Sequence, residues 1–139
     1  MIITLSEEEC RELLTTASVG RLGFVHEGEV QVIPLNYLLH GTDLVLRTVP
    51  DGVVGTLAPH AERVAFEVDH LEAHRGLGWS VLMHGSLHAM TDAEISELAD
   101  PGRVIPWVGR SRPLHLRFHA QSVSGRRVRR ERTDSLRRE

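Results

Sequence analysis

Residues 63–69 read Arg-Val-Ala-Phe-Glu-Val-Asp, and apolar and polar side chains alternate along them. An alternation with a period of two predicts a β-strand with one buried face and one solvated face. A longer stretch, Trp79–Met90, alternates in much the same way, and the polar residues 70–77 between the two predict a turn. The centre of the chain therefore predicts two strands joined by a short connection.

Outward from this centre, the same short period recurs between turn signals such as Glu27-Gly28 and His40-Gly41-Thr42. Further strands are predicted around Leu22–Phe24, Val30–Tyr37, Leu44–Arg47, Leu114–Phe118 and Val123–Val128. Hairpin-length connections and the lack of long helices between strands predict a closed or nearly closed antiparallel barrel rather than a parallel sheet.

Two short helices are predicted beside the strands. Ser6 and Glu9 have the spacing of a capping box, and apolar residues at helical spacing follow until near Ser18. Asp92 is expected to cap a second helix that runs to Leu98. Pro50–His60 is left open, because proline and glycine interrupt a possible helical turn there.

Length and composition fit a single globular protein of 139 residues, with 41% apolar and 25% charged residues. The first residues lack the basic start and apolar core of a signal peptide, and no apolar run approaches the length of a membrane span. Cys10 is the only cysteine and lies on the apolar side of the first helix, so it is expected to be buried and inert. These features predict a cytoplasmic protein.

The charge is distributed unevenly, and all sixteen basic residues are arginine. Residues 1–124 carry nine Arg against sixteen acids, a balance of −7, whereas residues 125–139 carry seven Arg against three acids, a balance of +4. A basic end can contact nucleic acid or anionic lipid. Because this one lacks interleaved aromatic residues and the rest of the chain is acidic, a solvated tail is expected, with no nucleic-acid or membrane partner.

Four segments of the sequence form a recognisable set: Gly20–Phe24, Val32–Tyr37, Leu46–Thr48 and Gly78–Val81. Taken together, they resemble the pyridoxamine 5′-phosphate oxidase-like family, the flavin-binding split barrels. Ala65–Asp69, Pro106-Trp107 and Gly125–Arg127 follow the same order, so the resemblance covers nearly the whole chain.

This resemblance implies a mainly β fold, a split antiparallel β-barrel of about six or seven strands with two short flanking helices. The barrel would span residues 1–124, and residues 125–139 would hold a last strand and the Arg-rich tail. It also implies a homodimer with flavin (FMN or a deazaflavin) at the subunit interface, working as an oxidoreductase on a small organic substrate.

The resemblance also assigns roles to individual residues. Arg47 and Thr48 would hold the flavin phosphate, which suits a guanidinium that can donate two parallel hydrogen bonds to it. The remaining expected contacts lie along the ring system and the ribityl chain: Pro34, Asn36, Tyr37, Trp79, Ser80 and, from the partner subunit, Trp107.

The residues themselves allow plainer roles. Arg47 can instead pair with Glu67 or Asp69, and large aromatic side chains such as Trp79 and Tyr37 commonly pack in the core.

The loop after the Arg-Thr pair departs from the family pattern. Family members carry a hydroxyl residue and a lysine there, whereas this chain has Val53 and Val54. The departure keeps a second interpretation open, a cofactor-free or haem-binding barrel that binds a small ligand.

Histidine and serine residues give no clear catalytic or metal site. His84 and His88 lie four residues apart in a predicted strand, which separates them by roughly 13 Å. His70 and His74 have the same spacing in the predicted turn, but no cysteine is available to join them, so no metal is expected. Ser80 and Ser86 lack a nucleophile elbow, and the catalytic residues stay unassigned.

Overall fold

Seven β-strands and three short α-helices make up the part of the chain that the computed structural model describes, residues 1–57, 60–98 and 114–130. The strands are β1 (Ile2–Leu5), β2 (Val19–His26), β3 (Glu29–His40), β4 (Asp43–Thr48), β5 (His60–Glu72), β6 (Leu77–Ala89) and β7 (Leu114–Arg129). The helices are α1 (Glu7–Leu14), α2 (Val53–Leu57) and α3 (Asp92–Ser96), and a 3₁₀ turn (Ala73–Arg75) joins β5 to β6.

Six of the strands close into a ring. The sheet order is β1-β7-β4-β3-β2-β5-β6, and β6 pairs back onto β7, so the strands from β2 to β7 form an antiparallel barrel. β1 pairs with the end of β7, beyond the part of β7 that pairs with β4. The predicted mainly β, split antiparallel barrel is confirmed.

The barrel interior is filled by aromatic and branched side chains. Phe66 and Phe118 are fully buried with ring centroids 6.0 Å apart, and Tyr37 meets Phe66 edge to face at 5.6 Å. α1 covers the interior with Cys10 and Leu14, both buried.

The predicted capping box of α1 is confirmed. The Ser6 hydroxyl accepts a hydrogen bond from the Glu9 N–H, and the Glu9 carboxylate accepts one from the Ser6 N–H. Burial, helped by the nearby Glu9 and Glu7 carboxylates, raises the pKa of the Cys10 thiol, in keeping with an unreactive side chain.

β7 differs from the prediction in one important way. It is one continuous strand, where two were expected, and it crosses residue 124 without a break. Gly125–Arg129 pair with β6 on one side and, up to Val128, with β1 on the other, so they are not a frayed tail. Glycine is required at 125, because a Cβ there would lie 2.5 Å from the Cys10 sulfur of α1.

The helices also differ in detail. α1 ends at Leu14 rather than near Ser18, and α2 occupies the stretch that the sequence left open. α3 is capped by Thr91 rather than Asp92, because Thr91 and Glu94 form a second capping box, and the helix ends at Ser96. In the described ranges, no helix has the length and apolar character needed to cross a lipid bilayer.

Candidate functional site

A row of outward-facing side chains crosses five neighbouring strands of the barrel. We call it the outer row, and its members are Arg47 (β4), Asn36 (β3), Val19 (β2), Asp69 (β5) and Ser80 (β6).

The strand registers define the outer row. Asn36 pairs with Val19, and Asp69 pairs with Ser80. Tyr37 pairs with Leu46, so the next pair along these antiparallel strands is Asn36 with Arg47. Arg21 pairs with Glu67, so two residues further along the strands Val19 lies beside Asp69. With neighbouring strands about 4.8 Å apart, the row is roughly 19 Å long from Arg47 to Ser80 when it is followed along the curved surface of the barrel.

An arginine bridges two carboxylates beside the middle of the outer row. One nitrogen of the Arg21 guanidinium donates to Glu67 Oε1 at 2.9 Å and to Asp69 Oδ2 at 2.8 Å. Partial burial and then the hydrogen bond and charge of Asp69 raise the pKa of Glu67 to about 7, although Arg21 opposes the shift. Arg21 is thus an ion-pair partner of both carboxylates, and the alternative pairing of Arg47 with Glu67 or Asp69 stays a prediction.

Sequence reasoning did not include Arg21, Glu67 and Asp69 among the site residues. Glu67 and Asp69 alternate with apolar residues, so their common place on the polar face of one strand could be predicted from the sequence. The partner strand that supplies Arg21 follows only from the register.

On β3 and β4, the outward-facing residues of the predicted set are Pro34, Asn36 and Arg47. Pro34 is exposed, and Asn36 and Arg47 are half-buried. Asn36 donates weakly to the Ser18 carbonyl at 3.5 Å, while Pro34 pairs with Arg21 across β3 and β2. Arg47 and Asn36 therefore offer polar side chains side by side on the outside of the barrel.

Tyr37 and Thr48 face the other way, because successive side chains of a strand point to opposite faces. Tyr37 is 5% exposed, and its hydroxyl donates to the Leu14 carbonyl at 2.6 Å. Burial raises the pKa of this phenol to about 12. Thr48 is 8% exposed, so its hydroxyl is buried while the neighbouring Arg47 side chain is on the outer face.

Trp79 and Ser80 also point to opposite faces of their strand. Ser80 belongs to the outer row, whereas Trp79 packs against the edge of the core and lines a cavity at the end of the barrel. The His70 ring lies 6.5 Å from the Trp79 ring, tilted by 35°. Trp107, the last residue of the predicted set, lies outside the described residues.

The loop after β4 places its two valines differently. Val53 is 40% exposed, but Val54 is 3% exposed and packs in the core. Gly55 cannot carry a side chain, because its Cβ would overlap the Pro50 carbonyl. The position where the family pattern expects an ammonium is therefore an interior position in this chain.

The histidine pairs occupy separate surroundings. His84 and His88 both lie on β6, as predicted, and His88 approaches Glu94 of α3 at 3.7 Å. His70 lies on β5 and His74 in the 3₁₀ turn. Within the ranges that the structure describes, no three His, Cys, Asp or Glu side chains gather as a metal site.

Comparison with known proteins places this barrel among relatives of similar length. The chain is 26% identical over 132 residues to an uncharacterised protein of Mycobacterium tuberculosis, Rv0080, covering 91% of this chain and 86% of that one. An FAD-binding protein of Mycobacterium smegmatis matches with a TM-score of 0.76 and 25% identity, covering 91% of this chain and all (100%) of that one.

A Corynebacterium glutamicum protein provisionally described as a pyridoxamine 5′-phosphate oxidase matches with a TM-score of 0.80. It covers 94% of this chain and 96% of that one, and its 23% identity supports the shared fold alone. The family model described as pyridoxamine 5′-phosphate oxidase matches residues 6–127, which include every strand from β2 to β6 and most of β7. The chain therefore belongs to the pyridoxamine 5′-phosphate oxidase family, and its fold is a split barrel.

Proposed function

We propose that this protein binds a flavin along the outer row and acts as an oxidoreductase on a small organic substrate. The observation that carries the proposal is the row itself, which crosses five strands and has polar side chains at four of its five positions, with Arg47 at one end. The FAD-binding relative of M. smegmatis, at 25% identity over nearly the whole chain, supports a flavin as the cofactor.

The phosphate end of the cofactor belongs at Arg47. This guanidinium is half-buried, so a charge-assisted contact to phosphate is partly shielded from water. The chain contains no lysine, and the Thr48 hydroxyl is buried. Arg47 is therefore expected to provide most of the side-chain affinity for the phosphate, with Asn36 beside it.

The ring end of the cofactor belongs toward Pro34 and Ser80, next to the Arg21 bridge. A bound flavin supplies hydride transfer, and the protein supplies orientation and electrostatics. Glu67, with its pKa near 7, can hold or release a proton at its carboxyl group close to neutral pH. Arg21 orients this carboxyl group and balances its charge after the proton leaves.

A second copy of the chain is expected to cover the cofactor. Val19 of the outer row is 36% exposed, and Val32 and Leu82, which face outward on β3 and β6, are 63% and 38% exposed. Burying such apolar side chains favours association, and a two-fold contact would use the same face on both copies. Light scattering is expected to give a mass of about twice 15.6 kDa. A mass of one chain at micromolar concentration would contradict the dimer.

The test of cofactor binding is an absorbance spectrum followed by an FMN fluorescence titration. Arg47→Ala is expected to weaken FMN binding by at least about tenfold, because one charge-assisted hydrogen bond contributes about 1.5–3 kcal/mol. Arg63→Ala is the matched control, since it removes an exposed arginine of β5 away from the row. Equal affinity for Arg47→Ala and wild type would place the cofactor elsewhere.

A cofactor-free barrel that binds a small ligand is the second candidate function. Its support is the interior position of Val54, which leaves no second cation for the phosphate in the loop of residues 49–57. A purified protein without flavin bands that fails to bind added FMN would favour this candidate. A Soret band would instead favour the haem-binding alternative.

A further inference from the structure

A cavity of about 410 Å³ opens at one end of the barrel. The side chains that line it point to the inner face of the strands, whereas the outer row points to the outer face. The cavity wall is the inner surface of four neighbouring strands, β1, β7, β6 and β5, and α1 covers it with Leu13. The volume is within the range of small-molecule sites, about 300–1,000 Å³.

The registers arrange the cavity wall as two parallel rows. In the first, Ile3 pairs with Arg127, Arg127 with Trp79, and Trp79 with His70. In the second row, Arg129 pairs with Leu77 and Leu77 with Glu72. All of these residues line the cavity, and each row alternates apolar or aromatic side chains with charged or polar ones.

One part of the cavity wall is mainly aromatic and apolar. The indole ring of Trp79 and the imidazole ring of His70 lie side by side at 6.5 Å, and the aliphatic side chains of Ile3, Leu13 and Leu77 surround them. Tilted or offset stacking on such rings favours a planar aromatic group.

Another part of the cavity wall carries two arginine side chains, Arg127 and Arg129. Among the described residues of the wall, Glu72 is the one acidic side chain, and it is already paired with Arg75 at 3.1 Å and approaches His70 at 3.5 Å. No carboxylate of the described residues forms an ion pair with Arg127 or Arg129, and the Glu9 carboxylate acts on Arg127 through a longer-range Coulombic attraction. Two guanidinium groups can therefore meet a planar carboxylate in the two-bond geometry that suits them.

We propose that this cavity is a second binding site, specific for a planar aromatic carboxylate whose ring stacks on Trp79 and whose carboxylate meets Arg127 and Arg129. The site is separate from the outer row, because Trp79 and Ser80 are consecutive on β6 and point to opposite faces. The proposal is independent of flavin binding, since none of its residues belongs to the outer row.

The experiment is a calorimetric titration of the full chain with 2-naphthoate, and 2-naphthamide is the neutral probe of the same shape. Wild type is expected to bind the carboxylate at least about tenfold more tightly than the amide. Arg127→Gln is expected to weaken 2-naphthoate binding by about tenfold to a hundredfold. Arg126→Gln, which removes the neighbouring arginine from the opposite face of β7, is expected to leave it unchanged.

Three results would overturn the proposal. They are equal affinity for the two probes, an equal loss in Arg126→Gln and Arg127→Gln, and displacement of bound 2-naphthoate by FMN. The last would show that the cavity and the flavin share one site. Arg127 is exposed, so its variant is expected to fold, and a circular dichroism spectrum like that of wild type verifies this.

Discussion

The outer row and the cavity at the barrel end share two strands, β5 and β6, and use alternate residues of them. Ser80 belongs to the outer row and Trp79 lines the cavity, although the two are neighbours in sequence. Asn36-Tyr37 and Arg47-Thr48 also divide, each with one side chain outside and one buried. Two consecutive residues of a barrel strand therefore belong to different sites, since their side chains point to opposite faces.

The largest expected contrast is between Tyr37→Ala and Asn36→Ala. Tyr37→Ala is expected to lower the free energy of unfolding by about 3–5 kcal/mol, because it empties a core position and removes a buried hydrogen bond. Asn36→Ala is expected to change it by less than about 0.5 kcal/mol, because its contact to Ser18 is long. Urea denaturation measures both. Similar losses in the two variants would contradict the division into an inner and an outer face.

The loop valines offer the next contrast. Val54→Lys is expected to destabilise the protein by about 3–5 kcal/mol, because it leaves an uncompensated charge in the core. Val53→Lys is expected to fold normally, because Val53 is exposed, and to raise FMN affinity by about tenfold by adding a cation to the segment that follows β4. Thermal melts and FMN titrations check the two variants. Unchanged FMN affinity in Val53→Lys would mean that the phosphate lies away from this loop.

A smaller effect is expected from pH at the Arg21 bridge. The pKa of Glu67 is raised to about 7 in the folded protein, from 4.5, so the folded state holds this proton more tightly than the unfolded chain. The resulting stabilisation is complete below about pH 4.5 and is lost as the pH rises through about 7.

The Glu67 side chain is 32% exposed, so solvent screening keeps this contribution within about 1 kcal/mol. Urea denaturation at pH 5 and pH 8 measures it, with Glu67→Gln as the comparison. Wild type is expected to lose more stability than Glu67→Gln between these pH values, and parallel losses would refute the shifted pKa.

The fold was largely predictable because alternation and turn residues are local signals. The strands around Phe66 and Leu22, and the capping box of Ser6 and Glu9, follow directly from them. β1 was missed because four residues, Ile2–Leu5, carry no alternation and depend on pairing with β7. β7 was divided because serine and glycine at 122–125 weaken the strand signal, whereas pairing with β6 maintains the strand.

The candidate site was predictable only in part, since it depends on which strands are neighbours. Arg47 and Asn36 were identified through the resemblance to a family, and the structure places them side by side. The interior position of Val54 could not be predicted from the sequence. α2 has only five residues, which is too short to show a clear helical period of apolar residues. The pairing of Arg21 with Glu67 joins residues 46 positions apart, which no local pattern contains.

The most direct test of the two-face account is a crossed titration of Arg47→Ala and Arg127→Gln with FMN and with 2-naphthoate. The account predicts that Arg47→Ala loses FMN affinity by at least about tenfold and keeps 2-naphthoate affinity, while Arg127→Gln does the reverse. A variant that loses both ligands together, with its fold intact, would contradict the claim that the outer row and the end cavity are separate sites.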